Sequence, residues 1–434
     1  MSDQSSKPVF SVLGFAIWGL GALFFLYEFF LRTFVGSVAH QVIPDLKLNA
    51  ESFAIIGSAY YIAYAFMQIP VGILADKFGV KIIMIFATLV CAGATFLFAH
   101  SAGFVTALIS RLLMGFGSSF AFVCLLVIAV TWFPRRLFGL FAGASQFIGT
   151  MGPLLAGGPL IAMMKHLHDT WRTALTDISF FGVILSVLIL FIVKSKPRGG
   201  ERELIFLKQE EPLKTRLLRL AGNNQAWFIA AYSACTYISV ALLGAIWGTE
   251  YLQVRGLSQG LAATMVSLAW LGYAVGCPSL GAFSDFTKRR KPALVFCSLL
   301  GLVVTAAIVY LPLDHVHWFY GVLFFGLGIA GSGQNVGFAA IAEHVDLETR
   351  ATALGLNNGA ITLFGAIIPP VVSYFVYLSA GPGVKLTVLT PHNFTFGFTL
   401  MPIFCLISLF VVLFGIRETY CKPRKEMIKL RLKS

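Results

Sequence analysis

The sequence predicts an all-α membrane protein of twelve transmembrane helices, arranged as two pseudo-symmetric six-helix bundles. Composition is the first reason. Of 434 residues, 58% are hydrophobic and 12% charged, where a soluble domain carries roughly 25% charged residues. A soluble fold of this composition would have too little polar surface to meet water. Second, apolar stretches long enough to cross a bilayer, about twenty residues each, recur twelve times. Third, one long polar break divides them into six and six.

The expected spans lie near 10–38, 53–75, 82–99, 103–131, 137–164, 173–193, 225–250, 258–283, 292–312, 317–343, 351–378 and 394–416. Met1 to Pro8 is short and polar, and the first apolar run exceeds a signal-peptide core, so that run is expected to stay as a span. The break between the sixth and seventh spans is rich in Lys, Arg and Glu. The expected organisation is a bundle over 1–194, a linker over 195–224, a second bundle over 225–417 and a basic tail over 418–434.

Orientation follows from the distribution of the 32 Lys and Arg residues. Twenty-five fall on the side of the two termini, five (Lys47, Lys165, Arg172, Arg255 and Lys385) on the other side, and Arg32 and Arg111 within spans. This asymmetry places both termini in the cytoplasm, and a cytoplasmic (inner) membrane is expected. It also accounts for the net charge of +13 without nucleic acid, because the charge is spread over loops that face anionic lipid. The seven cysteines have no metal or disulfide spacing. His166 and His168 form a His-x-His pair with no acidic or cysteine ligands nearby, so no metal site is expected.

Between the second and third spans stands Gly72-Ile-Leu-Ala-Asp76-Lys77-Phe-Gly79-Val-Lys81, and its degenerate copy runs from Gly281 through Asp285 to Lys291. A glycine permits close helix approach, an aspartate suits a helix N-terminus, and lysines hold the turn at the interface. Arg136 opens the fifth span 60 residues after Asp76, and Arg350 opens the eleventh 65 residues after Asp285. Each aspartate is expected to form a latch with its arginine, joining helix ends in one conformation.

Ionisable groups at depth are costly and mark function. Glu28 and Arg32 lie four apart in the first span, on one helical face. At 1.5 Å per residue, Glu28 sits roughly 6 Å beyond the centre of its span and Arg111 roughly 9 Å beyond the centre of the fourth, both toward the same side. The three are expected to form one cluster of net charge +1, or +2 when Glu28 is protonated. Protonation of Glu28 would then release an arginine to an anionic substrate group, with Glu28 and Arg111 as the proton-coupling pair. A static ion pair that fixes helix packing is the alternative. Arg32, Tyr60, Tyr64, Gln146, Tyr232, Tyr237, Asn335 and Asn357 are the expected substrate contacts, suited to a small polar solute with at least one negative charge.

The Gly-x-x-x-Asp-Lys-x-Gly-x-Lys loop with its copy after the eighth span resembles the signature loop of the major facilitator superfamily. Arg111-Leu-Leu-Met-Gly115-Phe-Gly117 resembles that superfamily's second common motif, whose arginine is linked to proton coupling. A carboxylate near an arginine in the first span is similar to its organic-anion symporters, although Ser118 and Ser119 stand where those relatives often carry a glutamate. Gly149 to Pro159 is similar to the antiporter motif with one residue too many, and is expected to be a hinge-like packing element. The resemblance implies a secondary transporter working by alternating access as a proton-coupled symporter, with a proton-driven efflux antiporter for amphipathic compounds as the alternative. No nucleotide-binding loop and no catalytic acid, base and nucleophile set is found. The protein is therefore expected to be a monomer in the bilayer that binds a small molecule, with a proton gradient in place of any cofactor and no enzyme activity.

Overall fold

The computed structural model describes residues 11–68, 70–71, 74, 78–133, 138–194, 213–311, 317–346, 349–381 and 389–421. Among them every regular element is a helix, as a chain in hydrocarbon requires if its backbone N–H and C=O groups are to be satisfied internally. In the first half these are α1 (Val12–Ser37), α2 (Ala39–Asp45), α3 (Ala50–Met67), α4 (Val80–Ala99), α5 (Phe104–Ser118), α6 (Phe120–Trp132), α7 (Phe138–Ala156), α8 (Gly158–Leu167) and α9 (Trp171–Ile192). The second half holds α10 (Leu213–Ala221), α11 (Asn224–Leu242), a π-turn (Leu243–Trp247), α12 (Gly248–Val254), α13 (Gln259–Phe286), α14 (Lys291–Tyr310), α15 (His317–Gly331), α16 (Gly333–His344), α17 (Arg350–Ala380), α18 (Pro391–Phe398), α19 (Leu400–Phe410) and a second π-turn (Val411–Gly415).

Ten helical segments are long and apolar enough to cross a membrane, and the bent pair Ala144–Ala156 and Gly158–Leu167 makes an eleventh. The expected span over 53–75 begins as α3 and runs into residues that are described only in part. Span starts carry polar caps where the chain enters the bilayer. Ser11 accepts from the Gly14 N–H at 3.0 Å, Asn49 and Ser52 form a capping box, and Thr170 and Thr173 form another. Each satisfies N–H groups that a helix leaves without partners.

Glycines set the tightest contacts inside each half. A Cβ at Gly115 would collide with the Tyr60 carbonyl, and one at Gly328 with the Ala269 carbonyl. The fourth span is thereby drawn onto the second, and the tenth onto the eighth. The fifth span bends by 48° between α7 and α8. Its glycines at 149 and 152 press against Phe25 and the Leu26 carbonyl of α1, which is the hinge-like packing expected there.

The face of the molecule where α1 begins is called here the basic face, and the other the far face. Toward the far face the two halves are in close contact. A Cβ at Gly36 would sit 2.6 Å from the Ala245 carbonyl oxygen of the π-turn, and the Phe53 and Trp247 rings meet edge-on at 5.6 Å. The Gly158 N–H donates to Ser267 Oγ at 2.8 Å. Deeper in, Asn358 of α17 donates to Gln68 Oε1 at 2.7 Å, and Gly365 packs on the Tyr61 ring.

Candidate functional site

The first span places its two charges as the i,i+4 spacing predicts. Arg32 Nη2 donates to both Glu28 carboxylate oxygens at 3.2 Å, and Glu28 is fully buried. Gly115 lets α5 press onto α3, and Tyr60 of α3 in turn reaches α1. The Tyr60 hydroxyl donates to Glu28 Oε2 at 2.7 Å, with the Glu28 carbonyl as a second acceptor at 3.2 Å. The Arg32 guanidinium lies over the Phe29 ring at 4.2 Å and the Tyr64 ring at 4.6 Å, where the ring faces favour a cation. Tyr64 and, from the other half, Tyr237 also face it with their hydroxyls. Among the described residues Arg32 Nε and the Tyr61 hydroxyl are buried without a hydrogen-bond partner. This constellation lies at the seam between the halves and holds donors to spare.

Arg111 differs from expectation. It lies in the same neighbourhood, 4.8 Å over the Tyr60 ring, but does not bind the Glu28 carboxylate. Nη1 donates to the Leu31 carbonyl at 2.5 Å, Nη2 to the Arg32 carbonyl at 3.2 Å and Nε to the Ile56 carbonyl at 3.4 Å. The rise per residue predicted its height but not its direction around the helix, and α5 aims it at the backbone of α1 and α3. Arg111 is a cationic staple across three spans, and Glu28 is left to Arg32 and Tyr60.

The other expected contacts divide. Tyr60, Tyr64 and Tyr237 join the Arg32 cluster. Tyr232 does not: its hydroxyl donates to the Leu294 carbonyl at 2.8 Å, tying α11 to α14 within the second half. Asn335 donates to Cys277 Sγ and Gln334 to the Tyr273 hydroxyl. Asn357 is fully buried, with neither amide atom partnered among the described residues. Gln146 is half-buried on α7.

Of the latch residues, Gly72, Asp76, Lys77 and Arg136 lie outside the described residues. Gly79 adopts φ +78° as the N-cap of α4, with Lys81 half-buried in its first turn. In the second half Asp285 pairs with Arg290 at 2.6 Å, not with Arg350. The chain turns tightly after α13, with Lys288 at φ +52°, and this brings Arg290 back onto Asp285. Arg290 also binds Glu343 at 2.7 Å, and Glu418 accepts from its N–H at 2.8 Å. The ends of α13, α14, α16 and the segment after α19 are thus joined, by partners that the repeat of Asp285 and Arg350 did not reveal. Glu250 was also missed. The expected seventh span stopped at 250, whereas α12 carries the helix on to Val254 and buries this carboxyl.

Comparison with known proteins agrees with the fold. The model of the Major Facilitator Superfamily matches residues 20–369. The hexuronate transporter of Bacillus subtilis (strain 168) is 25% identical over 296 residues, covering 64% of this chain and 70% of its own. The sialic acid transporter NanX of Escherichia coli (strain K12) is 24% identical over 395 residues, covering 87% and 89%. A solved bacterial homolog of the human lysosomal transporter Spinster, inward-facing and unoccupied, superposes with a TM-score of 0.72 at 16% identity, covering 93% of this chain and 97% of that one; this likeness speaks to fold alone. The chain belongs to the major facilitator superfamily and is a secondary transporter embedded in the membrane.

Proposed function

We propose that the protein carries a small carboxylate-bearing polar solute, of the sugar-acid class, together with a proton, by alternating access between its two halves. The observation that carries this reading is the buried Glu28–Arg32–Tyr60 constellation at the seam, with Arg32 Nε and the Tyr61 hydroxyl unpartnered beside it. With Glu28 ionised, its carboxylate occupies one edge of the Arg32 guanidinium. When Glu28 takes a proton that hold weakens, and a substrate carboxylate can form the bidentate pair for which arginine is shaped. Tyr61, Tyr64 and Tyr237 supply hydrogen bonds and ring faces for hydroxyl-rich carbon. Arg111 keeps the site net positive, which favours an anion. Hexuronate and sialic acid, named for two relatives, are both acidic sugars. By the lysine and arginine asymmetry, the basic face lies in the cytoplasm with both termini. The working unit is read as a monomer in a cytoplasmic membrane.

The test uses purified protein in liposomes with a pH dye inside, challenged with a panel of sugar acids, other carboxylates, amino acids and nucleosides. The expected result is that a sugar acid acidifies the lumen with wild type. Glu28→Gln should retain solute exchange and lose proton movement. Unchanged proton movement in Glu28→Gln would overturn the coupling role, and lumenal acidification by neutral solutes alone would overturn the substrate class.

A further inference from the structure

The coupling proposed above makes no use of Glu250, the one carboxyl buried at depth in the second half among the described residues. It stands on α12, directly beyond the π-turn Leu243–Trp247, thirteen positions from Tyr237 and hence roughly 20 Å further toward the far face at 1.5 Å per residue. Only 8% of it is exposed, and Oε1 has no hydrogen-bond partner among the described residues. Trp247 Nε1 and Gln253 Nε2, three residues before and three after, are likewise buried and unpartnered. Two orphaned donors and an orphaned acceptor thus follow one another along the same short stretch of helix.

Among the described residues the elements packed around α12 offer Glu250 no counter-charge. α12 packs against α1, α2, α13, α18 and the π-turn. On α1, Glu28 and Arg32 bind each other near Tyr237. On α2, His40 is exposed, and Asp45 accepts from the Trp171 indole at 2.8 Å. On α13, Tyr273 and Cys277 accept from Gln334 and Asn335, and Asp285 binds Arg290. α18 contributes His392. On α12 itself the Tyr251 hydroxyl donates to the Ile308 carbonyl, and Arg255, just past the helix, donates to the Tyr251 hydroxyl.

The location gives this isolation a meaning. The π-turn that leads into α12 is where Gly36 of α1 presses on the second half, and Trp247 is wedged between Phe53 of α3 and Phe394 of α18. Glu250 is therefore enclosed by the far-face closure of the two halves. An ionised carboxylate with a bare oxygen cannot be held there without a partner, so this closed arrangement requires the neutral acid. We propose that Glu250 is a proton-operated catch on the far-face gate: the gate shuts around the protonated carboxyl, and reopening hydrates it and lets the proton go. Trp247 and Gln253 are the donors that the carboxyl can engage as the gate moves. The inference rests on alternating access but not on Glu28. It predicts that acid on the far face favours the closed gate.

The experiment reads gate opening directly. Spin labels are placed through cysteines at His40, which is exposed, and Gly260, where a side chain meets nothing within 4 Å. Cys277 and Cys421, the two native cysteines that are not fully buried, are replaced by alanine. Label-to-label distances are recorded in lipid nanodiscs between about pH 5 and pH 8, the range into which buried carboxyls move. The parent and Glu28→Gln should both gain the long-distance population as pH rises, the open-to-closed ratio climbing by up to about tenfold per pH unit if one proton governs the step. Glu250→Gln should stay closed throughout, while Glu250→Asp should keep a transition and so show that the site tolerates substitution. A normal transition in Glu250→Gln, or its loss in Glu28→Gln alone, overturns the proposal. Failure of the Glu28 coupling would appear in vesicle proton flux and leave this titration standing, whereas distances unmoved by pH or by transported solute would defeat alternating access itself.

Discussion

The two halves share a packing plan and differ in where they keep their charge. In the first half Glu28, Arg32 and Arg111 lie deep in the bundle, linked through Tyr60 and backbone carbonyls. In the second half the ion-pair network of Arg290 with Asp285 and Glu343 stays at the basic face. Its interior is served by hydroxyls and amides, with Glu250 as the exception. Close helix contact through glycine is common to both, at Gly115 and at Gly328. Packing can thus be repeated between halves while chemistry is concentrated in one. On the function proposed above, the half with the buried charge binds and couples, and the other completes the pocket and moves against it.

The comparison can be broken most severely at Arg32. Arg32→Lys keeps the charge and loses the planar fork, so solute uptake in proteoliposomes should fall by about a hundredfold or more. Asn335→Ala, in the half whose buried arginine, Arg290, stays at the basic face, should change uptake by no more than about tenfold. Equal losses would mean that recognition is shared evenly. Next come the paired glycines. Gly115→Leu and Gly328→Leu should each destabilise the purified protein by about 3 kcal/mol, since overpacking a close contact costs up to this much. Thermal unfolding that differs sharply between them would show that the packing plan is not shared. The smallest effect contrasts two tyrosines. Tyr60→Phe, which removes a donor to Glu28, should weaken apparent substrate affinity about fivefold, and Tyr232→Phe should cost about 1 kcal/mol of stability and leave affinity unchanged.

Much of this was legible in the sequence. Apolar length located the spans, and i,i+4 spacing gave the Glu28–Arg32 pair because both depend only on local periodicity. The glycines and prolines of the fifth span foretold its bend for the same reason. What escaped depended on direction or on a distant partner. Counting residues put Arg111 at the right height but could not say that it would face carbonyls of α1 and α3. Matching Asp285 to Arg350 by analogy overlooked a five-residue turn that offers Arg290 first. Glu250 sat at an assumed span end, where a charge looks ordinary, because the continuation of the helix through a π-turn leaves no mark in hydropathy.

That π-turn also acts as a phase shifter. A π-turn closes its hydrogen bond over five residues instead of four, so every side chain beyond it is rotated by about one position, roughly 100°, relative to an unbroken helix. Tyr237 faces the Arg32 cluster from one side of the seventh span, and Glu250 meets the far-face gate from an azimuth that the shift has reset. Straightening the turn into α-helix with every residue kept would swing Glu250 away from its present neighbours, whereas deleting one residue between Leu243 and Trp247 would restore an α-helical register and leave Glu250 on the face it now occupies. The turn thus absorbs a single residue of surplus length, and this carboxyl keeps its face toward the gate only while the turn stays wide.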